Sequence, residues 1–236
     1  MKKALPYTII IILTVMVLTC IFLMVFPYLN IKEIQVNGNE NVTEEKVIEY
    51  VTDNNFNNLF AFNIFKAEKK LLTNHYIKAV SFQKQFPSTL VVNITEYKVR
   101  GYISYLGEYL YIDDEGRVLD IQPSFTKQLP VVEGLKFNDF TLGQILKVDN
   151  PSTFNSMVEL SKLFSKYELL TDVVRVDLNN SAEIHLYVGK VDVIFGDLTN
   201  SSQKLLTLNE IVKQLDTNDP GILDLTVENP TFKYIT

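Results

Sequence analysis

A long apolar stretch lies near the start of the chain. Residues 4–31 contain no Asp, Glu, Lys or Arg, and nearly every residue from 7 to 26 is apolar. A helix of about 20 residues rises about 30 Å, which matches the hydrocarbon thickness of a bilayer. A cleavable signal peptide has a shorter apolar region that ends in small residues, whereas Pro27 and Tyr28 follow here. The pattern therefore predicts an uncleaved transmembrane helix over residues 7–27.

The charges around this span predict its orientation. Lys2 and Lys3 flank its N-terminal side, and short basic flanks stay in the cytoplasm. We therefore expect residues 1–6 to form a cytoplasmic tail and the chain from about residue 28 to lie outside the cell membrane. That outer part holds 20 of the 22 Lys and Arg residues, all but Lys2 and Lys3, against 28 acidic residues. Its net charge of about −8 argues against nucleic acid as a partner.

Residues 28–98 carry the pattern of a small mixed domain. Strands are predicted from apolar and polar alternation, and helices from apolar residues on one side. Thr43 is placed to cap the first helix. Phe65, Leu71 and Leu72 are predicted to face inward from the second helix. The elements follow in the order strand, helix, helix, strand, strand, over residues 31–36, 44–51, 63–73, 77–83 and 89–95.

Residues 99–236 predict a second, larger domain. Short alternating segments separated by turn residues indicate strands, mostly in antiparallel order. Asn150 and Pro151 have the residue types that begin a helix. Strands are predicted over 101–106, 109–112, 117–121, 173–178, 183–188, 191–195, 222–227 and 231–235, with helices over 150–167 and 201–215. The fold class is therefore α+β: a transmembrane helix, a β-α-α-β-β domain and a larger, mostly antiparallel α+β domain.

The residues that could support catalysis or metal binding are few. Asp113, Asp114 and Glu115 are contiguous and precede a glycine, so their side chains diverge in a predicted hairpin turn. His75 and His185 are the only histidines, and no cysteine follows the apolar span to complete a zinc site. The alternation places His185 on the polar face of its strand. The sequence therefore predicts no catalytic residue, no cofactor and no metal site.

Four motifs occur in an order that resembles the FtsQ/DivIB family of bacterial cell-division proteins. Residues 31–39 read IKEIQVNGN and residues 86–96 read FPSTLVVNITE, both similar to that family's POTRA domain. Residues 109–119 read YLYIDDEGRVL and residues 188–196 read VGKVDVIFG, both similar to its larger domain. The resemblance covers essentially the whole chain. One departure follows Glu96, where Tyr97-Lys98-Val99 replaces the usual basic residue and proline at the domain junction.

The resemblance implies a non-enzymatic divisome scaffold at the division septum. It implies that a POTRA domain, residues 28–98, and the helix assist localisation, and that the β domain, residues 99–236, binds two bitopic coiled-coil proteins, one FtsB/DivIC-like and one FtsL-like. A septal cell-wall synthase is a further expected partner. A terminal edge strand could bind a partner by strand addition. Carried over residue by residue, the partner-binding surface comprises Arg175, Thr226, Val227, Asn229, Phe232 and Tyr234.

Other interpretations of these residues stay open at this stage. Phe232 and Tyr234 could cover the core of their own domain, and Arg175 could be a solvated surface charge. The chain as a whole could be a membrane-anchored cell-wall hydrolase, which requires a polar cleft with convergent carboxylates or a nucleophile. It could also be a POTRA-type export or assembly factor, although such proteins carry repeated POTRA units or a membrane barrel.

Overall fold

The computed structural model of the chain describes residues 4–53 and 57–235. Lys2 and Lys3, on which the predicted orientation depends, lie outside the described residues. The chain divides into two compact units, of which the first extends to Glu96 and the second begins at Tyr97. Each unit has its own hydrophobic core.

The predicted apolar span forms a helix, α1, over Ala4–Val25, and a 3-10 turn over Phe26–Leu29 follows it. Its described side chains are exposed, and nearly all of them are apolar. Tyr7–Leu29 is the one segment among the described residues that is helical, long and apolar enough to cross a membrane. Burying these side chains in lipid would remove from water the large apolar surface that the protein leaves uncovered.

The first unit contains a three-stranded sheet with two helices. Strand β1 is parallel to β3, and β3 is antiparallel to β2, which gives the order β1-β3-β2. Thr43 caps the first of the two helices as predicted, because its hydroxyl accepts the N–H of Lys46 at 3.3 Å. The elements are β1 (Glu33–Asn37), α2 (Glu44–Thr52), α3 (Ile64–Leu71), β2 (Ile77–Gln85) and β3 (Thr89–Glu96).

The prediction that Phe65 and Leu72 face inward from α3 was wrong. Phe65 is 83% exposed, and Leu72 is also exposed. Ala67 and Leu71 are the buried residues of α3, and Ile64 packs partly buried against the same core. Positions four apart lie one above the other on a helix, whereas Phe65 lies on the opposite side from Ala67.

Glu96, the last residue of the first unit, binds the segment before α2 through its carboxylate. Oε1 of Glu96 accepts the backbone N–H groups of Glu40 and Val42, at 2.9 and 3.1 Å. Oε2 accepts the backbone and side-chain N–H groups of Asn41, at 2.8 and 2.9 Å. The end of β3 thereby holds the segment that leads into α2.

The second unit is one nine-stranded sheet with two helices. The strand order is β12-β11-β10-β9-β8-β7-β4-β5-β6, and five of its eight neighbouring pairs are antiparallel. This confirms the predicted α+β class. Strand β7 was not predicted, yet it joins β4 to β8. The elements are β4 (Gly101–Tyr105), β5 (Glu108–Ile112), β6 (Val118–Gln122), β7 (Val131–Glu133), α4 (Pro151–Lys166), β8 (Val173–Asp177), β9 (Ile184–Val188), β10 (Val191–Gly196), α5 (Ser201–Val212), β11 (Gly221–Asp224) and β12 (Phe232–Tyr234).

The two faces of this sheet differ. Buried residues of α4 and α5, including Phe164 and Leu208, pack against Val176 and other buried strand residues on one face. The opposite face, which we call the helix-free face, carries Arg175 and Tyr187, which lie side by side on neighbouring strands. Asn150 caps α4 as predicted, since its side chain accepts the N–H of Ser152.

Candidate partner-binding edge

Strand β12 forms one edge of the nine-stranded sheet and pairs with β11 on its inner side. The N–H of Ile235 donates to the carbonyl of Pro220 at 3.0 Å, just beyond the two strands. This bond shows which residues of β12 turn their backbone groups toward β11. Because hydrogen-bonded pairs alternate along such a ladder, the backbone groups of Lys233 also face β11. Those of Phe232 and Tyr234 then point away from the sheet. The outer side of β12 can therefore accept another strand.

The two aromatic side chains of β12 lie on the face that the helices cover. Phe232 is half-buried against the core, and its ring lies directly over Gly221, where it leaves no room for a Cβ. Tyr234 is 67% exposed, and its ring meets that of Phe232 edge-on at 4.7 Å. Phe232 thus contributes to its own domain's core, whereas Tyr234 offers apolar area to a partner.

The turn between β11 and β12 is organised by a carboxylate. Oδ1 of Asp224 accepts the hydroxyl of Thr226 at 2.6 Å and its backbone N–H at 2.8 Å. These two hydrogen bonds lower the pKa of Asp224 below its ordinary value. Val227 and Asn229 follow in the same turn and are exposed. Five of the six predicted site residues therefore lie within one turn and the strand it leads into: Thr226, Val227, Asn229, Phe232 and Tyr234.

We expect Thr226→Val to raise the pKa of Asp224, because the lost hydroxyl is the main cause of the lowered pKa. The folded-state pKa lies below the unfolded one, so this carboxylate contributes stability above the unfolded pKa and loses it as pH falls through the folded pKa. NMR titration of the Asp224 carboxyl would measure the change. Thr199→Val, which removes a hydroxyl from Asp197 instead, is the control. An unchanged Asp224 titration in Thr226→Val would contradict the assignment.

A groove of about 520 Å³ runs between α5 and this turn, and no pattern in the sequence predicts it. Thr226 and Val227 line one side, and Lys204 lines the other. The ammonium of Lys204 donates to the carbonyls of Phe195 and Asp197, both at 2.8 Å, so it ties α5 to the end of β10. The groove therefore has a rigid wall beside the edge strand. Its polar and apolar lining suits a peptide side chain.

Arg175 does not lie beside the other predicted residues. It is on β8, with β9, β10 and β11 between it and β12, which corresponds to about 19 Å across the sheet. Its guanidinium lies 3.2 Å from Oε2 of Glu133 and stacks on the ring of Tyr187 at 3.7 Å from the centroid. Both contacts fix its orientation on the helix-free face, and the side chain stays 39% exposed. The predicted site is therefore divided between an edge and a face.

The opposite edge of the sheet, β6, is less open. Val118 donates to the carbonyl of Gln144 at 2.9 Å and accepts the N–H of Gly143 at 2.7 Å, so the following loop covers the start of the strand. Asp120 then places a charge on the edge, and its carboxylate accepts the N–H of Ile121 at 2.9 Å. Charged side chains on an edge disfavour strand addition, but β12 also carries one, Lys233. The difference between the two edges is the loop that covers the start of β6, so β12 is the better acceptor.

The acidic turn that begins at Asp113 stabilises its own backbone. Asp113 is 1% exposed, and its Oδ1 accepts the N–H groups of Glu115 and Arg117 at 2.9 and 2.8 Å. Burial raises the pKa of Asp113, against the effect of these hydrogen bonds. His185 lies on the helix-free face, 2.7 Å from a carboxylate oxygen of Asp192. Within residues 4–53 and 57–235, no three His, Cys, Asp or Glu side chains are grouped to hold a metal ion.

Two family models match the chain in consecutive regions. The POTRA domain of FtsQ type matches residues 29–97. The model described as FtsQ/DivIB, C-terminal related, matches residues 102–221, which is just over half of the 236 residues. The first match covers the three-stranded unit, and the second covers the nine-stranded sheet as far as the start of β11.

Curated relatives agree with these models. The cell division protein DivIB of Bacillus anthracis is 28% identical over 230 residues, covering 96% of this chain and 83% of the relative. DivIB of Clostridium tetani is 26% identical over 180 residues, covering 76% of this chain and 68% of the relative. A solved structure, the major extracytoplasmic domain of DivIB from Geobacillus stearothermophilus, covers 52% of this chain and 98% of that domain, with 14% identity and a TM-score of 0.34. Since the C-terminal model alone matches more than half of the chain, and the POTRA model precedes it directly, the chain belongs to the FtsQ/DivIB family of bacterial cell-division proteins.

Proposed function

We propose that the chain is a non-enzymatic scaffold of the divisome at the division septum. Its α1 helix crosses the cell membrane once with the N-terminus in the cytoplasm, and residues 28–98 and 99–236 form its two outer domains. Family membership and the apolar α1 helix support this proposal, and the basic pair Lys2 and Lys3 supports the orientation. The hydrolase and the export factor have no supporting observation among the described residues.

The proposed partners are bitopic coiled-coil division proteins, one FtsB/DivIC-like and one FtsL-like. An extended segment of such a partner pairs with β12 and continues the sheet. The observation that carries this proposal is the outward direction of the backbone groups of Phe232 and Tyr234. Tyr234 supplies exposed aromatic area beside the new strand, and the groove at Thr226 and Val227 takes a side chain at its end.

Arg175 extends the proposed surface. A partner segment that pairs with β12 and then crosses the helix-free face reaches it after about six extended residues. A partner carboxylate would compete with Glu133 for its exposed guanidinium, which already has a fixed orientation on Tyr187. Through these contacts the scaffold would link assembly of the septum to a cell-wall synthase.

Co-purification of the full chain with candidate coiled-coil partners tests the proposal. We expect Phe232→Ala and Tyr234→Ala to reduce the recovered partner, because both side chains lie on the edge strand. Leu106→Ala is the control, since Leu106 is exposed in the turn between β4 and β5. Undiminished recovery with both β12 variants would refute β12 as the binding site.

A further inference from the structure

The first unit has exposed aromatic side chains that the proposed function does not use. Tyr28, Phe60 and Phe86 are 71%, 65% and 64% exposed. They come from three separate segments: the turn after α1, the loop between α2 and α3, and the turn between β2 and β3. Scattered exposed apolar residues need no explanation, but three aromatics brought to one end of a domain do.

Phe60 is held against the end of α1 by a network of hydrogen bonds. The N–H of Leu59 donates to the carbonyl of Leu29 at 2.8 Å. The buried side chain of Asn58 donates to the carbonyl of Phe26 at 2.8 Å. The ring of Phe60 consequently lies 6.2 Å from that of Phe22, inside the apolar segment. The loop that carries Phe60 is thereby fixed to the helix.

The turn that carries Phe86 lies at the same end of the domain. The carbonyl of Ser88, two residues later, accepts the N–H of Lys32 at 2.9 Å, directly before β1 begins. Because β1 and β3 are parallel, their first residues, Glu33 and Thr89, lie together at the end where α1 enters. Phe86 therefore lies on the side of the domain that faces the membrane when α1 spans it.

The length of α1 sets the depth of these aromatics. About 20 helical residues cross the hydrocarbon, so a span that starts at Tyr7 leaves it near Phe26. Phe22 then lies about 6 Å inside the outer boundary, and Phe60 beside it cannot avoid the lipid. Aromatic side chains are enriched at this boundary because an apolar ring is favourable there.

We propose that Tyr28, Phe60 and Phe86 insert into the outer interface of the bilayer and seat the first domain on the membrane surface. The occupant of this aromatic surface is lipid, and the proposal rests on α1 crossing the membrane but not on partner binding at β12. The domain is then held at a fixed height above the membrane instead of swinging on α1.

Single tryptophan substitutions test this proposal, because the chain contains no Trp. Full-length Phe60→Trp and Phe86→Trp are reconstituted in phosphatidylcholine vesicles. Both should emit at shorter wavelength, be quenched by brominated lipid, and show several-fold weaker quenching by iodide than a water-exposed control. Thr95→Trp is that control, since Thr95 is exposed and lies about 20 Å along β3 from Thr89.

Leu13→Trp, in the middle of α1, should be quenched by brominated lipid and shows that the helix is inserted. With that condition met, the proposal is overturned if Phe60→Trp or Phe86→Trp is as accessible to iodide as Thr95→Trp. Protection that appears only at high protein-to-lipid ratio would indicate contact between copies of the chain and would equally overturn it.

Discussion

Tyr234→Pro should weaken binding of the partner segment about tenfold or more, about 1.4 kcal/mol, while the domain stays folded. The N–H of Tyr234 points away from β11, so proline removes a donor that an incoming strand needs and costs the sheet none of its own hydrogen bonds. Proline is tolerated on an edge strand when its nitrogen faces outward. The loss should exceed that of Tyr234→Ala, which keeps the backbone donor.

Titration of the partner against the full chain in detergent or nanodiscs would measure this loss. Lys233→Ala is the matched control, because it changes an exposed side chain on the same strand and keeps every backbone group. Thermal unfolding of Tyr234→Pro should match that of the unsubstituted chain. Equal affinities for the proline variant and the control would refute strand addition at β12, even if partner binding elsewhere remained.

Glu96→Ala should lower the free energy of unfolding of the first unit by about 2–3 kcal/mol. The substitution leaves the N–H groups of Glu40, Asn41 and Val42 without the carboxylate that accepts them. Hydrogen bonds to a charged acceptor are stronger than neutral ones, and partly buried donors cost free energy when they lose a partner. Glu96→Gln keeps one acceptor oxygen and should lose less.

Hydrogen–deuterium exchange in the full chain would measure this effect, because peptides from residues 28–98 report the first unit separately. Exchange should accelerate in α2, which follows the segment that Glu96 holds, and stay unchanged in β8 to β11. Thr95→Ala, at the exposed preceding position, is the control. Protection in α2 equal to that of the control would show that the carboxylate is dispensable.

Local patterns in the sequence were sufficient for most of the first unit. Alternation in β1 and β3 and the cap at Thr43 depend on neighbours in the chain, so their signals are local. The prediction of which side of α3 faces the sheet was less successful. Phe65 is larger than Ala67, yet Ala67 faces the sheet. The helical spacing of Ile64, Ala67 and Leu71 marks the buried side, so the prediction failed because it followed side-chain size instead of spacing.

The order of strands in the nine-stranded sheet was also beyond what local sequence patterns predict. The three residues of β7 are too few for alternation, and their pairing with β4 and β8 spans distant parts of the chain. Without β7 the strands predicted around it cannot be ordered into one sheet. The distance of Arg175 from the tail strand depends instead on the order of β9, β10 and β11. The parallel pairing of β10 with β11 joins strands on either side of α5, so it was not predictable from local patterns.

The candidate site was predictable as residues but not as a surface. The strand that carries Phe232 and Tyr234 could be found from its position and composition. Which of its backbone groups face outward is known only from the hydrogen bond between Ile235 and Pro220. The groove beside Thr226 is lined by α5, which Lys204 links to the end of β10 by a hydrogen bond. Each of these features results from contacts between elements.

The shortness of β12 has a thermodynamic consequence. Three residues held on one side by β11 bury little area, and such a segment opens locally at a small fraction of the free energy needed to unfold the domain. A partner strand bound as proposed would add hydrogen bonds on the second side, so binding and ordering of the tail would reinforce each other. Part of the binding free energy is then spent on ordering, which favours rapid exchange of partners over permanent attachment.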